Sequence, residues 1–436
     1  MPLAHLGRAL AHRNYRLYVI GQGVSLIGTW MQQVGLSWMV FEQTGSSFIL
    51  GLVAFSGQIP ALFLSPVAGV LSDRWSRHRT LRLTQTLAMA QALALVCLAL
   101  LETIPVWQVI ALSIASGLIN AFDMPTRQAF LVDMIDDRRD LPNAIAINSS
   151  IVNSARLVGP FLAGLLIAAG GPIACFLLNA LSYVAVLIAL AAMRNLPQRE
   201  LKLAGSIRQG LEEGVRYAFG FRPIRMLLLM MALVSLCGMS LSVVLPVFAK
   251  EILKGGPLLF GFLSAASGCG ALSSAVYLAS RKTVLGLGKK MSWATGLFGL
   301  GMIGFSYSRL IPVSMGLLVL TGFTMMLQMA SSNTLIQTLA DEDKRGRVMS
   351  LYTMAFMGTA PIGSLVAGAI AERFGPPMAP FSAGLVCIAG ALAFARIYPS
   401  LREEVRPHYE RAGILPRMAV AVETASELTT PPEDAK

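Results

Sequence analysis

A stripe of polar residues interrupts one of the most apolar stretches of this 436-residue sequence. Ser149, Asn153, Arg156 and Pro160 follow one another at spacings of four, three and four residues, which places them on one face of a helix. The surrounding run from Ile145 to Ala169 is otherwise apolar, and Arg156 lies near its middle. A guanidinium in such surroundings can bind an anionic or carbonyl-rich ligand. It can equally be satisfied within the protein by helix carbonyls or by a glutamine side chain.

A second polar face lies near the N-terminus, where Gln22, Ser25, Thr29 and Gln33 recur at helical spacing beside Trp30. Amides and hydroxyls inside a membrane either hold helices together or line a polar cavity. The two polar faces together define the candidate substrate-binding residues. These are Arg156, Asn153, Ser149, Gln22, Thr29 and Gln33.

The sequence does not support other chemistry. It contains no G-x-x-x-x-G-K-[ST] phosphate loop, so ATP is not expected to supply energy directly. The five cysteines all lie within apolar runs without C-x-x-C spacing, and the four histidines all lie outside those runs. No acid pair or nucleophile-base arrangement appears at the ends of the runs. We therefore expect no enzyme activity, no metal and no cofactor.

The elements that must position these residues follow from composition. The chain is 55% apolar and only 13% charged, and its mean hydropathy is +0.64. An ordinary soluble core cannot hide so much apolar surface. Runs of about 20 apolar residues are long enough to cross the bilayer as helices, and they recur from Tyr18 almost to the C-terminus. The sequence predicts an all-α membrane protein.

Twelve spans are predicted, six in each half of the chain. They are Tyr18 to Phe41, Phe48 to Leu71, Leu81 to Leu101, Val106 to Met124, Ile145 to Ala169, Pro172 to Met193, Met226 to Ala249, Leu258 to Ala279, Met291 to Tyr307, Pro312 to Ser331, Val348 to Ala371 and Met378 to Ala395.

Lysine and arginine fall mainly on one side of these spans, and basic residues in short loops stay cytoplasmic. Both termini are therefore predicted to be cytoplasmic. The net charge of +12 reflects this asymmetry and attraction to anionic lipid, so no nucleic-acid partner is needed.

The longest polar interruption divides the chain into four predicted parts. Residues 1–193 form an N-terminal six-helix bundle, and residues 194–225 form a cytoplasmic linker. Within the linker, Ser206 to Gln209 resembles a capping box that opens an amphipathic helix on the inner membrane surface. Residues 226–398 form a C-terminal bundle, and residues 399–436 form a polar tail expected to be disordered.

The two halves also repeat. When Pro160 is aligned with Pro361, Ser149 matches Ser350 and each segment follows a loop rich in acids and bases. Arg156 then aligns with Met357, so the fold itself does not require a base at that position. Two facing repeats are the arrangement in which transporters hold a substrate site near the bilayer midplane.

The stretch GVLSDRWSRHR, residues 69–79, follows the second span and resembles the loop signature of the major facilitator superfamily. Gly69, Asp73, Arg74, Arg77 and Arg79 match that signature, while Ser76 stands where the family usually has glycine. A role in fixing the membrane topology is sufficient to explain Arg79. Three further segments resemble the branch that contains enterobactin exporters and macrolide-efflux proteins. They are GTWMQQVGLSW, NAFDMPTRQAF and ARLVGPFLAG.

The resemblance implies twelve helices in two pseudo-symmetric bundles and a latch between them at the cytoplasmic side. Asp73 would accept hydrogen bonds from the N-terminus of the eleventh span near Val348. Arg74 and Arg77 would pair with Asp123 or Asp133. In the fifth span, Gly159, Pro160 and Gly164 resemble the motif of antiporter-type facilitators, although part of the usual glycine run is missing.

Asp123 also carries a second expectation. It shares a helix face with Asn120 and with Arg127, one turn away, so that Asp123 and Arg127 can pair. Both residues are therefore assigned to the latch. No Asp or Glu lies near mid-depth of a span, and Asp123 lies near the inner end of its span. Asp123 is the best available candidate for proton coupling, with Arg127 as its competing partner.

These features predict a monomeric secondary transporter of the cell membrane that exports a small organic molecule, drug-like or siderophore, by proton-coupled alternating access. Two alternatives stay open. One is a sensor or scaffold on the same fold that does not transport, and the other is an importer of a small anionic metabolite.

Overall fold

The computed structural model describes residues 7–101, 104–194, 207–281, 283–342 and 344–411. The side chains of residues 65–67, 69–74, 138, 207–211 and 411 lie outside this description. Every regular element within it is a helix.

Thirteen α-helices follow one another within the described residues. They are α1 (Arg13–Thr44), α2 (Ser47–Arg74), α3 (Arg77–Ala99), α4 (Val106–Asp133), α5 (Leu141–Gly170), α6 (Ile173–Ala191), α7 (Ile207–Gly220), α8 (Arg222–Val247), α9 (Pro257–Ala279), α10 (Leu287–Tyr307), α11 (Ile311–Leu339), α12 (Arg345–Phe374) and α13 (Met378–Arg411). A 3₁₀ turn at Arg8–Ala11 precedes α1, and a π-helical turn at Phe248–Ile252 extends α8.

Glycine and proline set several of the helix boundaries. Gly45, Gly171 and Gly375 follow the ends of α1, α5 and α12 with φ values of 61°, 79° and 92°, a region that only glycine adopts at little cost. Pro257 opens α9 at the first helical position, where its missing N–H would have no partner anyway.

The helices form two bundles with the same internal pairing. In the N-terminal bundle, α1 to α6, the packed pairs are α1 with α5 and α6, α2 with α4, and α3 with α4 and α6. The C-terminal bundle, α8 to α13, repeats this with α8 on α12 and α13, α9 on α11, and α10 on α11 and α13. The bundles meet where α5 packs on α9 and α2 packs on α12, two contacts that are themselves equivalent in the repeat. The predicted pseudo-symmetric pair of six-helix bundles is confirmed.

Ten helices in the described residues are long and apolar enough to cross a membrane. The two other predicted spans, α1 and α10, are helices of 32 and 21 residues. We attribute their lower hydropathy to polar positions: α1 carries Gln22, Gln32 and Gln33, and the first turn of α10 carries Lys289 and Lys290.

Helix α13 departs from its predicted bounds. Helix α13 runs to Arg411, past the predicted end of its span, because Leu401 and Val405 are buried against the C-terminal bundle. Residues 412–436 of the predicted tail lie outside the described residues, as does Ser206 of the proposed capping box.

Helix α7 packs on the C-terminal bundle at the start of α12. Gly214 lies against Arg347, Glu213 forms an ion pair with Arg347, and the ammonium of Lys344 lies 4.7 Å from the ring centre of Tyr217. The linker helix is therefore attached to one bundle.

The buried apolar side chains are distributed unevenly along the bundle axes. One end, here the closed end, carries the α1–α2 and α12–α13 connections, and a single core there joins Trp38 and Phe41 of the N-terminal bundle to Val244, Phe260 and their neighbours in the other. The opposite, open end carries Arg13 and Arg222. Two separate cores lie there, one in each bundle. The bundles are thus held together at the closed end and packed independently at the open end.

Candidate substrate site and gating residues

Helix α5 positions Arg156 between its contacts with two other helices. A Cβ placed on Gly159 would come within 2.5 Å of the Cβ of Trp30 on α1, and one on Gly164 would come within 2.9 Å of the Cα of Gly261 on α9. Successive helical residues are rotated by about 100°, so Arg156 projects between these two contact directions. It therefore faces the junction of α1 with the opposite bundle.

The guanidinium of Arg156 has an aromatic neighbour but no anionic one. Its Cζ lies 5.8 Å from the centre of the Trp30 ring. Among the described residues, no carboxylate lies within 4.0 Å of it and no oxygen accepts its hydrogen bonds. The helix carbonyls and the α1 glutamines considered in the sequence analysis do not satisfy it. Arg156 is partly exposed, so its donors are available to a ligand from outside the chain.

The other candidate substrate residues are not equally accessible. Thr29 and Gln33 of α1 are exposed, and the Thr29 hydroxyl donates to the carbonyl of Ser25 at 2.9 Å. Ser149 is exposed on α5, and Asn153 donates to its carbonyl at 2.8 Å. Gln22 is only 4% exposed. It is therefore shielded from a ligand in this conformation.

Asp123 lies inside the N-terminal bundle with a complete set of donors. It is 2% exposed. Its carboxylate accepts hydrogen bonds from the Thr84 hydroxyl at 2.8 Å and the Gln85 amide at 2.7 Å, and it pairs with Arg127 one turn further along α4. These contacts hold the carboxylate between α3 and α4.

Arg77 makes a second ion pair at the open end of the same bundle. Its Nη1 donates to both carboxylate oxygens of Asp133 at 3.0 Å and to the carbonyl of Ala129 at 3.1 Å. These contacts tie the beginning of α3 to the end of α4. The side chains of Gly69, Asp73 and Arg74, the remaining members of the predicted latch, lie outside the described side chains.

The glycines of the fifth-span motif act as close-packing positions. Gly159 packs against Trp30, and Gly164 faces Gly261 of the opposite bundle. A Cβ on Gly261 would lie 2.8 Å from the carbonyl oxygen of Pro160. Small residues allow helix backbones to approach closely in membranes. The motif therefore fixes the α5–α9 contact that holds Arg156 in place.

A family model described as "Transmembrane secretion effector" matches residues 8–424 of the chain. The chain belongs to this family. Its members are transporters of the major facilitator superfamily, which confirms the resemblance read from residues 69–79 and places the chain among transporters rather than enzymes.

Curated relatives of this transporter include a staphyloferrin A transporter and a multidrug efflux pump. It is 26% identical over 351 residues to the staphyloferrin A transporter of Staphylococcus aureus, covering 80% of this chain and 87% of the relative. It is 25% identical over 355 residues to the multidrug efflux pump Tap of Mycolicibacterium fortuitum, covering 78% and 85%.

Solved structures of transporters share the fold. A crystal structure of a POT family transporter in complex with 5-aminolevulinic acid superimposes with a TM-score of 0.70. That superposition covers 89% of this chain and 96% of the other at 15% identity. The transporter is a multi-pass integral membrane protein of the major facilitator fold.

Sequence reasoning missed several residues that complete these sites. Thr84 and Gln85 hold Asp123, and the signal was present because both are polar residues within an apolar span. Glu372 of α12 accepts hydrogen bonds at 3.2 Å from the Ser46 hydroxyl and the Phe48 N–H of the other bundle, and so links the bundles at the closed end. Nothing in the sequence signalled that contact, since its partners are more than 300 residues apart.

Proposed function

We propose that this transporter exports small organic molecules by alternating access, driven by a proton gradient. The observation that carries the proposal is the uneven core: one apolar core joins the bundles at the closed end, and two separate cores lie at the open end. Two bundles that separate at one end while packed at the other suit a rocking motion around a central site. The positive-inside argument makes the open end cytoplasmic, so this conformation would load substrate from the cell interior.

The proposed substrate binds Arg156 through a carboxylate or a carbonyl-rich group, with the Trp30 ring as a platform. Ser149, Asn153, Thr29 and Gln33 offer further polar groups, and Gln22 joins them only if the bundle rearranges. A siderophore or a drug-like compound fits this chemistry, in keeping with the relatives named for staphyloferrin A and for multidrug efflux.

Asp123 is the proposed proton site, since it is buried and its partner Arg127 can compete with a proton for the carboxylate. Protonation would release Arg127 and weaken the ties between α3 and α4 through Thr84 and Gln85. A proton bound on one side of the membrane would in this way alter the packing of the N-terminal bundle.

Gly69, Asp73, Arg74 and Arg77, together with Asp123 and Arg127, form the proposed latch. The Arg77–Asp133 pair supports it by placing one of these arginines at the open end of α4. The latch would close when the open ends of the bundles come together.

We further propose a monomer in the cell membrane with both termini in the cytoplasm. An importer of a small anionic metabolite would use the same Arg156 site in the opposite direction. A sensor that does not transport would bind ligand without flux.

Reconstituted protein tests the proposal directly. In liposomes with an imposed pH gradient, a radiolabelled polycarboxylate siderophore or a lipophilic drug should accumulate, and a protonophore should abolish accumulation. Arg156→Met, which copies the repeat position Met357, should weaken siderophore binding about tenfold or more, because a hydrogen bond to a charged group contributes about 1.5–3 kcal/mol. Arg79→Gln is the matched control.

Binding with no gradient-dependent flux of either probe would indicate a sensor. Transport of either probe in the direction opposite to proton-driven export would indicate an importer. Undiminished siderophore affinity in Arg156→Met would assign that arginine a structural role.

A further inference from the structure

A groove of about 490 Å³ lies between α1 and α5, away from the proposed substrate site. Ile20, Val24 and Ile27 line it from α1, and Ile147, Ser150 and Ser154 line it from α5. Ser154 is two residues and Ser150 six residues before Arg156, which rotates them by about 160° and 120° around α5. Both serines therefore project from the side of α5 opposite to Arg156. The groove therefore opens in a different direction from the one in which Arg156 projects.

The exposed apolar lining of the groove is suited to contact with the membrane. Ile20 is 63% exposed and Val24 is 49% exposed on the surface of the bundle. Exposed apolar side chains on a membrane-spanning helix meet lipid hydrocarbon. From Asn143 to Val158 the groove follows α5 for about 22 Å, which is shorter than the roughly 30 Å hydrocarbon thickness. It is long enough to hold part of an acyl chain.

Two arginines stand at the end of the groove nearest the membrane surface. Arg13, Arg16, Ile20 and Val24 follow one another on α1 at spacings of three, four and four residues and thus form one stripe. Both arginines are exposed, and neither has a carboxylate within 4.0 Å among the described residues. The acids of the neighbouring loop, Asp136 and Asp140, are bonded to His12 instead.

We propose that this groove binds an anionic phospholipid, with an acyl chain along Ile20, Val24 and Ile27 and the phosphate at Arg13 and Arg16. Arginine forms paired hydrogen bonds with phosphate oxygens, and its long stem reaches the headgroup level from within the membrane. The apolar groove alone would accept the chain of any lipid. The unpaired arginines select for negative charge.

The chain offers a matched control for this proposal. Arg79 and Arg82 of α3 are also exposed, also three residues apart and at the same end of the bundle, but no residue of α3 lines the groove. If the arginines serve only to orient the chain, the two pairs are equivalent. If the groove binds lipid, only the α1 pair matters.

The experiment measures the phosphatidylglycerol retained by the purified full chain. The protein is extracted from vesicles of phosphatidylglycerol and phosphatidylcholine in equal amounts, and the bound lipids are identified by native mass spectrometry. The wild type should retain phosphatidylglycerol preferentially. Arg13→Gln with Arg16→Gln should reduce that preference by about fivefold for each arginine, while Arg79→Gln with Arg82→Gln should leave it unchanged.

A second variant separates the groove from surface charge. Ser154→Phe fills the groove at an exposed position without altering any charge, so it should fold normally and still lose the retained phosphatidylglycerol. Retention at the wild-type level in Ser154→Phe would overturn the proposal. Equal losses in the two double arginine variants would overturn it as well, because they would reduce the effect to general attraction at the surface.

Discussion

Arg156 and Asp123 lie in the same bundle but in opposite electrostatic situations. Asp123 has a cation and two neutral donors around its carboxylate. Arg156 has an indole ring and an open side. Removing one member of a buried ion pair leaves the other uncompensated, whereas a charge that already lacks a partner gains from a ligand. The first residue is suited to switching and the second to binding.

Replacing Asp123 by asparagine should abolish gradient-driven efflux and spare substrate binding. The change should also lower the free energy of unfolding by about 1–3 kcal/mol, because Arg127 loses its counter-charge while 22% of its side chain is exposed. Thermal unfolding in detergent and flux in liposomes measure the two effects. Adding Arg127→Gln should restore part of the stability but no flux, and unchanged gradient-dependent flux in Asp123→Asn would remove this carboxylate from the coupling mechanism.

His12 gives the segment before α1 a pH dependence. Its Nε2 lies 3.1 Å from Asp140 and its Nδ1 lies 3.3 Å from Asp136. Burial lowers the pKa of His12, but hydrogen bonds and charges from the two carboxylates raise it, and the net pKa is above the ordinary 6.5. Because the pKa of His12 is raised in the folded state, its contacts with Asp136 and Asp140 are fully formed below about pH 6.5. They are lost as the pH rises through the pKa of the folded state.

Hydrogen exchange of residues 8–12 should therefore be slow below pH 6.5 and should accelerate, beyond the intrinsic effect of pH, as His12 loses its proton. In His12→Gln, the protection should follow only the intrinsic pH dependence. A wild-type profile identical to that of the variant would show that the histidine does not hold this segment.

Besides the apolar core at the closed end, the bundles meet at two crossings where glycines bring the helix backbones together. Gly164 faces Gly261 where α5 crosses α9, and Gly51 faces Gly368 where α2 crosses α12. The repeat thus builds the same kind of crossing twice. Small residues at both crossings allow the helices of the two bundles to approach closely.

Gly261→Ala should loosen the closed end, since the added Cβ would lie 2.7 Å from the Cα of Gly164. Spin labels on Glu42 and Arg373, exposed residues of opposite bundles, should report a larger population of long distances. Gly316→Ala is the control, because nothing lies within 4 Å of a Cβ at that helical position. Equal distance distributions in both variants would contradict the role of the α5–α9 contact in holding the closed end together.

The elements show where sequence patterns succeed and fail. Apolar runs located all twelve long helices, because helix length in a membrane is set by the bilayer. The end of α13 was placed too early, since the chain turns polar from residue 399 onward. Leu401 and Val405, four residues apart among charges, were the signal that the helix continues on the C-terminal bundle.

At the scale of the whole molecule, the repeat of six and six spans predicted the paired bundles. The environments of the candidate residues were harder to predict from the sequence. Thr84 and Asp123 are 39 residues apart, and Trp30 lies on a different helix from Arg156. Such contacts depend on how helices cross, which is decided by side-chain packing along each interface and not by hydropathy.

The orientation of the whole molecule is open to a labelling test. In a background without native cysteines, Glu42→Cys should react with a membrane-impermeant maleimide added outside intact cells, and Ser76→Cys should react only after permeabilisation. Both residues are exposed, so reagent access is equal in principle. Labelling of Ser76→Cys in intact cells would reverse the assigned topology.

The docking of α7 on α12 bears on how the two halves are joined. Since Gly214, Glu213 and Tyr217 attach this helix to the C-terminal bundle, the covalent connection between the bundles is confined to the chain that precedes α7. The N-terminal bundle and the C-terminal bundle with α7 are therefore two packing units joined by one stretch of chain. Any tag, protease site or inserted domain intended to leave both units intact belongs between residues 195 and 206, not after Gly220.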